Sequence, residues 1–218
     1  MKVVSVNVGL PKDLLIGDRS IATGIIKTPI AGLVHVSTLN LAGDGQADLT
    51  VHGGIDKAVY IYPSEHYAFW QQALSRELAW GAFGENLTVA GLAESAVSIG
   101  DHLGIGTAVF AVSQPRLPCF KLAAKFRRDD MIKRFLDSRR TGFYVRVLQE
   151  GQLQAGDPIV VIQQEPAHVT IREITDLYLT KRPEQHSIHR AASVEGLATS
   201  WRDHFLSLLT PENNHRAT

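Results

Sequence analysis

From Met1 to about Gln164 the hydrophobic positions fall in short β-branched runs rather than long stripes. The runs are Val3 to Val8, Gly32 to Leu39, Ala58 to Tyr62, Leu87 to Val89, His102 to Ile105, Ala108 to Val112, Gly142 to Leu148 and Pro158 to Ile162. Runs of this length, punctuated by Gly, Asp and Pro, predict the strands of a closed or nearly closed antiparallel barrel. Gly-Asp turns close Ser98 to Asp101 and Gln154 to Asp157, and Glu150-Gly151 reads as a hairpin tip before the final barrel strand. Two stretches change period. Ser64 to Ala79 spaces Tyr67, Trp70, Leu74 and Leu78 by three and four, which predicts a helix with Ser64 as its N-cap. Leu122 to Asp137 carries a second helical pattern that Arg127 to Asp130 can interrupt. Beyond Glu165-Pro166, Ile171 to Leu179, Pro183 to Ala192 and Thr199 to Leu209 suit three short helices, with Gly196 at the last junction. The expected organisation is a barrel domain at 1–165, a three-helix extension at 166–210 and a flexible tail at 211–218.

Composition narrows the function classes. With 218 residues, 44% apolar and 20% charged, the chain can bury a core and carries no mark of disorder. Lys plus Arg equal Asp plus Glu at 22 each, so the strong positive field of a dedicated nucleic-acid binder is missing and any anion site must be local. The three C-terminal helices share the outline of a helix-turn-helix, but Tyr178, Leu179, Leu197, Trp201, Phe205 and Leu208 read as a packing face. No nucleic-acid polymer is expected as a partner. Met1 to Gly9 lacks the pattern of a signal peptide, and no run approaches the roughly 18 apolar residues of a membrane span. Cys119 is the only cysteine, so no internal disulfide can form. A cytoplasmic protein without membrane attachment is the expectation.

Three segments can carry chemistry. In Ser113-Gln114-Pro115-Arg116-Leu117-Pro118-Cys119, two prolines are expected to end the preceding strand and deliver Cys119 on a rigid loop or at a helix start. A thiol there, beside Arg116 and Lys121, is expected to ionise readily and so to ligate metals or attack electrophiles. The bland alternative is a small buried hydrophobe. In Gly43 to Asp48 and His52-Gly53-Gly54-Ile55-Asp56-Lys57, glycines flank His and Lys and leave N–H donors for an anion, or else form plain tight turns. In Gly81 to Leu87 a glycine loop presents Glu85 and Asn86, the latter able to hydrogen-bond a heterocycle or the neighbouring loop. Between Arg116 and Gln149 ten basic residues stand against three acidic ones, a surface for an anionic ligand or an acidic partner unless it is simply a solvated helix face.

Taken together and in order, these segments resemble the MOSC family, in particular the YiiM-like branch with a C-terminal three-helix extension. The likeness spans nearly the whole chain. Its carriers are Gly43 to Tyr62 with the His-Gly-Gly and Asp-Lys-Ala elements, Phe83-Gly84-Glu85-Asn86-Leu87, and the Ser-Gln-Pro-Arg-x-Pro-Cys string ending at Cys119. The resemblance implies a mainly β fold with helices, a MOSC-type β-barrel holding a pterin-based molybdenum cofactor, with Cys119 as the metal's protein ligand. It implies reduction of N-hydroxylated compounds such as 6-N-hydroxylaminopurine. In that scheme Cys119, His52 and Asp48 act at the reacting centre, while Lys57, Arg116, Asn86, Gln114 and Arg146 bind cofactor or substrate. The chain has no GxGxxG signature and no cysteine cluster, so electrons are expected from a separate flavoprotein reductase, with Lys125 to Arg140 as one docking surface. A homodimer through the helical extension is left open. The rival expectation is a sulfur or molybdenum-cofactor carrier that uses Cys119 without turnover.

Overall fold

The computed structural model describes residues 1–16, 18–45 and 53–209. In chain order the strands are β1 (Lys2–Val8), β2 (Lys12–Ile16), β3 (Arg19–Thr23), β4 (Thr28–Ile30), β5 (Val34–Val36), β6 (Val59–Pro63), β7 (Leu87–Ala90), β8 (His102–Ile105), β9 (Ala108–Pro115), β10 (Phe143–Gln149), β11 (Gly151–Leu153) and β12 (Ile159–Gln163). The helices are α1 (His66–Leu74), α2 (Phe120–Phe126), α3 (Met131–Ser138), α4 (Ile171–Leu179), α5 (Gln185–Ser193) and α6 (Thr199–Ser207).

The main sheet runs β12-β8-β9-β10-β6-β7-β1-β4. A bridge from Lys2 to Pro158, flanked by Val3 N–H to Asp157 O at 2.9 Å and Ile159 N–H to Met1 O at 3.1 Å, brings β1 back to β12 and closes the barrel. Pairing is antiparallel except between β6 and β7. Closure removes the open edges that would otherwise invite association. The period-2 alternation sorts two cores. Val59 and Ile61 of β6 and Phe143, Val145 and Val147 of β10 point into the barrel, whereas Tyr60, Tyr62 and Tyr144 point out against α1, α2 and α3. The inner core continues without a break into the C-terminal helices through Val169, Ile171, Ile174, Trp201 and Phe205. Gly196 sits so close to Gly100 that a Cβ would lie 2.5 Å from its Cα, so only glycine fits this contact between the helical unit and the barrel.

Several expectations are corrected. The helix foreseen at Ser64 to Ala79 spans only His66–Leu74, and Glu65 rather than Ser64 is its N-cap. Ser64 is held instead by β7, its N–H donating to Val89 O at 2.7 Å, and Ser75 ends the helix at φ +51°. The strand expected to stop at Val112 runs on to Pro115, because Pro115 lies at the strand's end, past the part paired with β8, where its missing N–H leaves no ladder partner wanting. Gly32 to Leu39 contributes only Val34–Val36. Glu150-Gly151 is not a hairpin tip between barrel strands: β11 turns aside to pair with β5, and Glu150 accepts from Thr38 N–H and Oγ1, both at 2.7 Å. The break within Leu122 to Asp137 is present, with Arg127 at φ +53° between α2 and α3. The tail from Pro211 lies outside the described residues.

Candidate functional site

The end of β9 and the loop after it bring the site together. Tyr144 opposes Gln114 and Phe143 opposes Pro115, with a register shift between Tyr144 and Val145. Ser113 Oγ lies 2.6 Å from Asp56 O and 2.9 Å from Tyr144 O, its one hydrogen shared between the two carbonyls, binding the 3-10 turn Ile55–Lys57 to the same strands. Arg146 forms an ion pair with Asp56, so it anchors the turn that carries Lys57. Cys119 is the N-cap of α2, with extended backbone (φ −125°, ψ 175°) and no side-chain capping bond, and its thiol is partly exposed.

A cleft opens here. Cys119, Arg116, Lys57 and Asn86 from the sequence expectation line it, joined by Lys27, Lys121, Tyr60 and Tyr144. Arg116 is 5% exposed, its guanidinium 5.4 Å from the Tyr60 ring centroid and 5.1 Å from that of Phe135, and its Nη1 has no hydrogen-bond partner among the described residues. Burial works to lower its pKa, but the nearby Tyr60, Tyr144 and Cys119 outweigh it and raise the value, so this cation is permanent. Asn86 is largely committed to the scaffold: Tyr60 N–H donates to its Oδ1 at 3.0 Å, and its Nδ2 donates to Asp44 at 2.8 Å. Of its two expected roles, bonding to the neighbouring loop is the one seen, and a single amide hydrogen is left for the cleft. Asp44 is also ion-paired with Lys27. Gln114 lines a second chamber that shares Lys57, Leu117, Cys119 and Tyr144 with the first. Asp48 and His52 lie outside the described residues.

Among the described residues the cleft's lining holds four cations and one carboxylate, and Lys125 adds a fifth cation behind the wall, donating to Ile25 O at 2.9 Å and Gly81 O at 2.8 Å. Burial depresses Lys125 to about 8, with Arg116 and Lys27 pushing the same way and Glu85 opposing. Lys27 and Lys57 are also lowered, chiefly by burial, against the pull of Asp44 and Asp56 respectively. Deprotonating a lysine removes positive charge, so anion affinity must fall as pH rises through the lowered values. Pyrophosphate binding, measured by calorimetry from pH 6.5 to 9.5, is expected to weaken several-fold across pH 8, and Lys125→Met to flatten that decline while weakening binding below it.

By contrast the basic run between Arg127 and Arg140 is mostly neutralised in place. Arg128 and Arg134 pair with Asp130, Lys133 with Asp137 and Arg139 with Asp176, while Arg140 stacks 3.9 Å over the Phe69 ring. Sequence reasoning missed Lys27, Tyr60 and Tyr144. Lys27 follows a hairpin that left no apolar alternation, and the two tyrosines meet only through the β6–β10 register.

Among the described residues no cluster of three or more His, Cys, Asp or Glu could hold a metal ion. One thiol amid cations is a poor site for a bare metal but suits a metal carried by an anionic organic group, and Arg116 Nη1, unpartnered among the described residues, is a donor suited to such a group. These residues therefore fit the molybdenum cofactor, with which MOSC domains are associated. No helix of the described residues is long and apolar enough to cross a membrane.

Comparison with known proteins agrees. The MOSC domain family matches residues 48–160, and the YiiM-like 3-alpha helix domain matches residues 169–210. The uncharacterized protein YflK of Bacillus subtilis is 43% identical over 204 residues, covering 94% of this chain and 92% of that protein. The crystal structure of YiiM from Geobacillus stearothermophilus superposes with a TM-score of 0.82 at 39% identity, covering 96% of this chain and 99% of that one. A reductase of Gibberella moniliformis is 35% identical over 148 residues, 66% of this chain but 26% of its own length. The barrel and the appended helices are thus those of a known group, and this chain belongs to the MOSC family, in its YiiM-like branch.

Proposed function

We propose that the protein reduces N-hydroxylated compounds, of the 6-N-hydroxylaminopurine type, using a molybdenum cofactor held at Cys119. The observation that carries this reading is the position of Cys119 in the wall of both chambers, one cationic and one lined by aromatic rings. Such a thiol can face an anionic cofactor and a neutral substrate together. The reductase name of the fungal relative supports the reaction class. When bound, the cofactor would supply two-electron, oxygen-removing chemistry. Overall, R–NH–OH, two electrons and two protons give R–NH2 and water.

The chain's own part is binding and orientation. Cys119 ligates the metal; Arg116, Lys57 and Lys121 neutralise the phosphate and the pterin's charge; Asp44 and Asn86 fix the cleft wall; Gln114 meets the substrate. His52 and Asp48 remain assigned to the reacting centre on the family pattern, with Arg146 holding Lys57 in place through Asp56. Electrons come from a separate flavoprotein.

The test is conversion of 6-N-hydroxylaminopurine to adenine by protein produced in cofactor-making cells, with reduced methyl viologen as donor. Product formed in proportion to molybdenum content is expected. Bound molybdenum without product would overturn the reductase reading in favour of a cofactor carrier.

A further inference from the structure

The second chamber is built by both domains. Gln114, Leu117 and Tyr144 come from the barrel side, and Tyr178 of α4 with Trp201 and His204 of α6 from the helical extension. The join is firm: Ala198 N–H, at the start of α6, donates to Ser113 O at 3.1 Å, one residue before Gln114. The rings form a cluster, with Tyr178 5.1 Å from Trp201 and 5.2 Å from His204 between centroids, inclined by 53° and 51°. Trp201 is 5% exposed and rooted in the core, while Tyr178 and His204 are half-buried. Gln114 is 3% exposed, and its Oε1 has no hydrogen-bond partner among the described residues. A buried carbonyl oxygen without a donor, in the wall of a cavity, is unusual enough to want a ligand's N–H or O–H. Among the described residues no carboxylate lines this chamber and Lys57 does, so it offers nothing to hold a cationic substrate. Its chemistry instead suits a flat, uncharged ring with a polar edge.

We infer that this chamber is the ring-binding subsite of the reaction: a planar heteroaromatic ring packs against Tyr178, Trp201 and His204, and Gln114 Oε1 accepts a hydrogen bond from its exocyclic N–H. The C-terminal helices then set which N-hydroxylated compounds are reduced. This rests on the reductase reading, and the subsite can be tested apart from it.

Two measurements on the full chain decide the matter. The first compares kcat/KM for 6-N-hydroxylaminopurine with that for hydroxylamine, which has no ring, in cofactor-loaded protein. In Tyr178→Ala, His204→Ala and Gln114→Leu the ratio of ring to ringless substrate is expected to fall about tenfold or more at unchanged molybdenum content. A ratio that stays at the wild-type value in all three would overturn the subsite. The second needs no turnover: adenine is titrated while tryptophan fluorescence is followed. Quenching is expected in the wild type, absent in Trp201→Phe and shifted to higher adenine concentration in Gln114→Leu. If the wild type reduces neither substrate, the reductase reading fails while adenine quenching still decides the subsite. Equal quenching in the wild type and Trp201→Phe, or none in either, would remove it.

Discussion

Cys119→Ser is expected to lose its molybdenum, by at least about tenfold in metal per chain, while the fold stays intact. The two halves of this expectation have separate causes. A serine hydroxyl stays protonated near neutral pH and is a hard, weak donor, so the soft ligand proposed for the metal would be gone. Stability should hold or rise slightly. Cys119 is the N-cap of α2 and makes no capping bond, whereas serine is among the residues that cap best, with a gain of up to about 1 kcal/mol. The Arg116 and Lys cations remain, so pyrophosphate should bind the variant nearly as well as the wild type. Metal analysis, thermal melting and calorimetry on the same preparations check all three. Molybdenum retained at wild-type content in Cys119→Ser would sink the assignment of Cys119 as ligand, and reductase activity would then have to be sought around Lys57 and Arg116.

The sequence was readable where one pattern did one job. The barrel strand β8 alternates against a single core, and α4 falls on its expected bounds because its capping box, with Thr170 and Glu173 satisfying each other, is local. The β2–β3 hairpin stayed hidden because most of its side chains are exposed or half-exposed, so no period-2 signal was imposed on them. β4 and β11 are three residues each, too short to show a period. The site divides in the same way. Cys119, Arg116 and Gln114 lie within one segment whose prolines advertise a fixed backbone, and they do meet in adjoining chambers. Lys27 and Tyr144 are separated by more than a hundred positions and meet only through tertiary packing. The role of the last helix was unreadable for a further reason: Trp201 looks like core in sequence, and it is core on one side and chamber wall on the other.

Glu85 shows how far a correct choice of segment can differ from the role inside it, and Glu85→Ala is expected to be the most destabilising single change considered. The Gly81 to Leu87 loop drew notice as a candidate site segment, yet the Glu85 side chain is fully buried and turned into the protein. Its Oε1 accepts from Tyr67 OH, from Gly81 N–H at 3.0 Å and from Thr88 Oγ1 at 2.9 Å, and its Oε2 accepts from Phe83 N–H at 3.0 Å. Alanine would strand these donors in a dry interior and leave a void, a loss of about 3–5 kcal/mol. In a protein of this size that lowers Tm by about 6–20 °C. Glu85→Gln keeps the volume but turns one acceptor into a donor facing donors, so a smaller loss of about 1–3 kcal/mol is expected. The change also reaches the cleft. Glu85 holds up the pKa of Lys125, so in either variant that lysine should deprotonate below its present value of about 8, and the pH at which pyrophosphate affinity falls should move down with it. Thermal melts and the calorimetric pH series measure both effects. Melting of Glu85→Ala within about 2 °C of the wild type would show that the four donors find other partners and that the loop is not held by this carboxylate.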